Sequence, residues 1–244
     1  MAIDGISVRM RTDHYGGAAL GPRRPTVRRS VAGSLRGDVV ADRRWHSAMK
    51  PVAYIDACRK SHRRLLADLA PLTDDDFRSP SLLPRYSRGH VITHLANKTK
   101  AHVGLFGGPV TGETRQLHPD GYDPDLAAAA GASRSAAELC SDLAKSFELL
   151  EGAWDALDHA MWDRQGIMTA GPRTMAEIVT HHLRNVEVHH VDLEIGYLVS
   201  SWPPILVDGE RAKRLRTLPS RADHADLLAW LLGRATAPEL RGMW

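Results

Sequence analysis

Apolar residues return every three or four positions in four long stretches, and each stretch predicts a helix with one core-facing side. From Ala48 to Leu69 that side is Val52, Ile55, Cys58, His62, Leu65, Leu66 and Leu69. A second helix is expected from about Arg88, capped by Ser87, to Phe106, with Gly107-Gly108-Pro109 as its stop. From Ser133 to Leu157, the residues Ala136, Cys140, Leu143, Phe147, Leu150, Trp154 and Leu157 alternate spacings of four and three, the seam of a bundle. The fourth helix, Met175 to Gly196, opens on a capping box of Thr174 and Glu177. Weaker signals fill the gaps. LTDDDF starts a short helix, while SPSLLPRYSRG, residues 109–125 and residues 166–172 read as loops or turns. SSWPPILVDGE reads as extended or loop, residues 209–217 as a short basic helix and residues 221–234 as a final helix. Strand signals are few. Four helices joined by loops fit a mainly α, four-helix bundle.

The Met175–Gly196 stretch departs from a plain core helix. Met175, Ile178, His182, Asn185, Val186, His189, Leu193 and Gly196 share one face, so two imidazoles and an amide point where a core should be. Each costs about 1–3 kcal/mol if buried without a partner. Asn185 and His189 are one turn apart, a spacing suited to a single metal ion with a third ligand from a facing helix. His94 is the best candidate, on a face with Val91, Lys98, Ala101 and Leu105, and His90 is the alternative one turn earlier. A histidine on an apolar face is more often a satisfied core residue than a ligand, so spacing alone leaves both readings open. Glu187 lies on the opposite side of the helix.

Composition narrows the function classes. The chain has 244 residues, 43% of them hydrophobic, and a net charge of +3. Residues 1–50 carry 10 Lys/Arg against 4 Asp/Glu, a net +6, which leaves −3 for the rest. Positive charge concentrated outside the folded part argues against a nucleic-acid binder. Two cysteines, Cys58 and Cys140, both in helical patterns, read as free buried thiols in a reducing cytoplasm. No apolar run approaches 18 residues, so no membrane span is expected. The expected organisation is a basic, mostly irregular extension over 1–45, a bundle over 46–204 and a short C-terminal region over 205–244 with one helix.

RGHVITHLA, NVEVHHVDLEIGY and the SWP after it resemble the mycothiol-dependent maleylpyruvate isomerase family, within the DinB-like four-helix bundle superfamily. PLTDDDFRSPSLLPRYSRGHVITHLANKTKAH, AGASRSAAELCSDLAKSFELLEGAWDAL, TGE at 111–113 and ADLLAWLLGR fit it too. The likeness runs from about Val52 to Pro203, with Ala225–Arg234 as a fragment. It implies a divalent metal, usually zinc, held by three side chains, here at the positions of His94, Asn185 and His189. It also implies a low-molecular-weight thiol, mycothiol or a similar one, whose metal-stabilised thiolate attacks a small electrophile. In the isomerase that thiolate adds to a cis double bond, the adduct rotates, and elimination gives the trans product.

Two departures qualify what the resemblance implies. The family's middle ligand is Glu, and Asn185 stands there instead, a neutral and weaker donor for zinc. The site is then a weaker His94/Asn185/His189 site, or one that recruits His182 or His90, or one that has lost its metal. The region after Pro204 is also short for the family's second domain, which carries an arginine for anionic groups. Arg234 matches that arginine as a catalytic residue, with Arg88 and Arg184 as further substrate-binding candidates. The expectation is a cytoplasmic thiol S-transferase or thiol-exchange enzyme, in the manner of natural-product tailoring. The alternatives are a maleylpyruvate-type cis–trans isomerase and a metal-free binding protein. A homodimer is left open.

Overall fold

The computed structural model describes residues 50–238 and 240, so the basic extension expected over 1–45 lies outside the described residues. The chain is mainly helical, as the DinB-like reading requires. Its elements are α1 (Val52–Leu69), α2 (Asp74–Arg78), α3 (Arg88–Thr111), α4 (Pro124–Gly131), α5 (Ala136–Asp155), a hairpin of β1 (Gln165–Met168) and β2 (Gly171–Thr174), α6 (Met175–Asp192), α7 (Pro204–Thr217) and α8 (His224–Leu231). Helices α1, α3, α5 and α6 are the four staves. The antiparallel hairpin pairs Gln165 with Thr174 and delivers the chain directly into α6.

Local chemistry sets most helix starts. Thr73, Ser87, Ser135 and Thr174 each accept a hydrogen bond from the backbone N–H three residues on. The residue donating that N–H, Asp76, His90, Glu138 or Glu177, returns the bond to the cap's own N–H. The third stave therefore begins at Ser135 rather than at Ser133, because only Ser135 has a carboxylate at the correct offset.

Three expectations from the sequence need correction. Gly107-Gly108-Pro109 does not end α3, which runs on to Thr111 and stops at Gly112 in the left-handed conformation (φ 77°). The glycines serve packing: a Cβ on Gly107 would lie 2.7 Å from the Arg115 guanidinium, and one on Gly108 would lie 2.7 Å from Glu113 O. Residues 109–125 are not all loop, since Asp123 caps α4 with Pro124 at its first position. The segment expected to be extended after Trp202 is instead α7, with Pro204 fitting the first turn, where its missing N–H costs nothing.

The core has two apolar parts. One gathers Ile55, Cys58, Leu105, Phe106, Trp154, Trp162, Met175 and Ile178. The other gathers Leu65, Leu69, Phe77, Val91, Leu95, Leu143, Phe147, Val186 and Leu193. Between them along α1, α3, α5 and α6 lie His62, Thr99, His102, Ser146 and His182, all buried. The bundle thus has a polar waist between two apolar halves. Both cysteines are free, with Cys58 buried and Cys140 half-buried.

Candidate functional site

Helix α6 presents its polar face to α3. His94 and His189, 95 positions apart in sequence, meet edge to face with ring centroids 5.0 Å apart. His182 of α6 meets His102 of α3 in the same manner at 5.4 Å. His94 and His102 are eight residues apart and His182 and His189 seven, so the two pairs sit about 10–12 Å apart along an antiparallel seam. Lys98 and Asn185 occupy the level between them.

The seam sets a neutral His94 ring beside a half-buried cation, Lys98. Burial, then neighbouring His189 and Lys98, pushes His94 down to about 4, so its imidazole is neutral at neutral pH. His189 Nδ1 lies 2.8 Å from Asp192 Oδ2. The Asp192 carboxylate accepts the Nδ1–H, so Nε2 is the ring nitrogen of His189 not engaged with Asp192. Lys98 is half-buried and makes no hydrogen bond or ion pair with the described residues; burial and the charge of Arg184 lower it from the ordinary lysine value. The Asn185 Nδ2 is buried and has no partner among the described residues. An open recess of about 470 Å³ is lined by Arg115, Gln116, His118, Pro119 and Asp120, in the segment after α3. Burial holds His102 well below the ordinary imidazole value, and His118 adds a lesser push to both His94 and His102.

The remaining candidates from the sequence lie elsewhere. His90 is occupied at the start of α3, where its Nδ1 takes part in the Ser87 cap. His182 has both ring nitrogens engaged, with His62 at 2.8 Å and His102 at 3.3 Å. Neither therefore converges with His94 and His189. Arg88 donates to Leu193 O, Glu194 O and Asp76 O, tying α3 to the end of α6. Arg184 lies 2.8 Å from His181 Nδ1 and pairs with Glu210 at 3.2 Å. Arg234 is exposed just beyond α8, where its backbone N–H donates to Ala229 O. Glu187 is buried on the far face of α6 and accepts from Ser61 and Tyr197. Two residues of the site were missed by sequence reasoning, Asp192 and His102. The three-residue step from His189 to Asp192 and the two-turn step from His94 to His102 carry the signal for them.

The profile of the family described as Mycothiol maleylpyruvate isomerase N-terminal domain matches residues 58–194, more than half of the chain and all of the seam. The chain belongs to this family. Two solved structures share the fold. One is the crystal structure of the mycothiol-dependent maleylpyruvate isomerase, 21% identical, with TM-score 0.64 over 67% of this chain and 68% of that one. The other is a histidine-to-alanine mutant of the mycothiol-dependent maleylpyruvate isomerase, 20% identical, with TM-score 0.62 over the same shares. No curated protein matches the chain. No helix among the described residues is long and apolar enough to cross a membrane.

Membership raises the matter of a divalent metal, and the donor set decides how far the seam suits one. The two imidazoles fit: their rings meet, His94 is neutral, and Asp192 orients His189 as a carboxylate behind a ligand should. The third position does not. Asn185 offers an uncharged amide, and no group of three or more His, Cys, Asp or Glu able to hold an ion occurs among the described residues. Two imidazoles and an amide make a weak zinc site with no anionic ligand.

Proposed function

We propose that this chain is an enzyme that activates a low-molecular-weight thiol, mycothiol or a close analogue, in the α3–α6 seam and joins its sulfur to a small electrophile. The observation that carries the reading is the meeting of His94 and His189 from distant parts of the chain, with Asp192 behind His189. The family match across both helices supports the choice of thiol. When bound, the thiol supplies the nucleophile, which is its thiolate rather than the protonated form.

The residues divide the work by charge. His189 takes the thiol proton at Nε2, and Asp192 stabilises the imidazolium that results, in the manner of a base oriented by a carboxylate. Neutral His94 shapes the same wall without adding a competing charge. The lysine charge of Lys98, unpaired with any described side chain, favours an anion on this strip of α3 and so favours the thiolate over the thiol. The Asn185 amide offers an open hydrogen-bonding group to a polar atom of the ligand.

Transfer of the sulfur to an electrophile, or its exchange between conjugates, is the reading we favour, because a base-activated thiolate needs no further group on the protein. Cis–trans isomerisation of a maleylpyruvate-type substrate is the second reading, favoured by the family matched over residues 58–194. Purified protein incubated with mycothiol and either a mycothiol conjugate or maleylpyruvate tests both. Consumption or exchange of thiol that is lost in His189→Gln supports transfer. Isomerised product with thiol fully recovered supports the second reading, and no turnover of either substrate overturns the enzyme assignment.

A further inference from the structure

The polar waist holds an unbroken line of close polar contacts from the surface to the seam. Glu151 Oε1 lies 2.7 Å from His62 Nδ1, His62 Nε2 lies 2.8 Å from His182 Nε2, and His182 Nδ1 lies 3.3 Å from His102 Nδ1. Four helices contribute one residue each. The ring of His62 is stacked on Phe147 at 3.8 Å and 5°, which fixes the direction of both its nitrogens. The outer end reaches solvent: the Glu151 side chain is 29% exposed and faces Arg59 at 3.3 Å. At the inner end, His102 Nε2 is buried without a partner among the described residues.

These contacts admit one proton arrangement. The His62 hydrogen bond, reinforced by Arg59, holds the Glu151 carboxyl below its ordinary range, so it is ionised and accepts from His62 Nδ1–H. Burial keeps His62, His182 and His102 below the ordinary imidazole value, so all three rings are neutral at neutral pH. His62 Nε2 is then an acceptor, and His182 Nε2–H donates to it. His182 Nδ1 is in turn an acceptor, and His102 Nδ1–H donates to it. The lone pair left over is on His102 Nε2. One turn along on α6, Asn185 offers an amide donor that also lacks a partner. His102 Nε2 and Asn185 Nδ2 are thus an acceptor and a donor, one from each helix of the seam, each buried without a described partner at a cost of about 1–3 kcal/mol.

We propose that Glu151, His62, His182 and His102 form a proton relay between a ligand bound in the α3–α6 seam and solvent, with His102 Nε2 as the inner port and Glu151 as the outer one. This rests on the reading of the seam as a ligand site. A proton arriving from a ligand hydroxyl or acid group at His102 Nε2 displaces the Nδ1 proton to His182 Nδ1. The His182 Nε2 proton passes to His62 Nε2, the His62 Nδ1 proton passes to Glu151, and the carboxyl releases it to water. One N–H bond forms and one breaks on each ring, so no charge stays on the rings, and the negative charge remains on the ligand that gave up the proton. Every ring ends in its other tautomer, so the line is set to carry a proton back to the ligand. Addition of sulfur and later loss of a leaving group need one such transfer in each direction, while His189 serves the sulfur itself.

Imidazole ¹⁵N NMR on the full-length protein tests the relay with no thiol present, and so independently of the proposed activity. The wild type is expected to show His62 and His102 as Nδ1–H tautomers and His182 as Nε2–H. Glu151→Ala removes the acceptor that orients the line, and His102, three links away, is expected to shift to a mixture containing Nε2–H. Wild-type His182 in the Nδ1–H form, or a His102 tautomer indifferent to Glu151→Ala, overturns the relay. In thiol turnover, the same variant is expected to lose about tenfold or more in kcat and to recover with small buffer acids; a loss that buffer does not restore counts against it.

Discussion

Glu187 and Tyr197 hold each other on the face of α6 that turns away from His189: the phenol donates to the buried carboxylate, and Ser61 donates to its other oxygen. Arg64 in turn donates to the phenol oxygen at 2.9 Å. The only carboxylate in the middle of α6 is thus a fastening between helices and the segment after α6, out of reach of the seam. Removing one partner leaves the carboxylate under-bonded. Tyr197→Phe is expected to lower unfolding free energy by about 1–3 kcal/mol in urea denaturation, with thiol turnover per folded molecule unchanged. Lost turnover in a fully folded Tyr197→Phe protein would place Glu187 in the chemistry after all.

The zinc question has a gain-of-function answer. Asn185 is the position where the resemblance expects Glu, and its amide is already buried beside the histidine seam. Asn185→Glu supplies the missing anionic donor to two imidazoles that converge without it. Zinc affinity by competition with a chromophoric chelator is expected to rise about ten- to hundredfold over wild type. An equal affinity in the two proteins would mean that His94 and His189 do not open toward position 185.

Buried neutral histidines make stability fall in acid. Burial pushes His181 to about 3 and His190 to about 4, and it lowers His62, His102 and His182 as well. The unfolded chain titrates its histidines near pH 6.5. Between that value and the folded values the unfolded state binds more protons, so stability rises with pH and is lost as pH drops through this window. Each participating histidine adds a slope of at most about 1.4 kcal/mol per pH unit. In the presence of a chelator, the urea midpoint is expected to fall steadily from about pH 6.5 to about pH 4, and a flat profile over that range would show these rings charged in the folded state.

Much of this was legible in the chain because it is local. The capping box at Thr174, the Ser87 cap and the heptad seam from Ala136 to Trp154 follow from local residue type and spacings of three and four, which helix geometry imposes. The pairing of His94 with His189 follows from the need for a third donor on a facing helix and from the resemblance, since no spacing rule joins residues 95 apart. What stayed hidden depends on packing against distant partners. Gly107-Gly108 looks like a stop until the Arg115 side chain is seen lying over it. His62 looks like one more core position until Glu151 and His182 are found on either side of it. Asp192 escaped for a simpler reason, because an acid near a helix end reads as solvated.

Two glycines separate intrinsic helix preference from packing. Gly152 lies exposed near the end of α5, with nothing within 4 Å of an added Cβ, so Gly152→Ala removes only backbone freedom and is expected to stabilise by about 0.5–1 kcal/mol. Gly89 is buried in the first turn of α3, where a Cβ would sit 2.2 Å from Ala132 O just past α4. The same substitution there gains the same preference but forces backbone apart at the base of the helix that carries His94 and His102. Gly89→Ala is expected to destabilise by about 1–3 kcal/mol and to lower thiol turnover as the seam shifts. Urea denaturation of the two single variants checks the opposite signs, and stabilisation by Gly89→Ala would show that α4 yields freely and does not brace the seam.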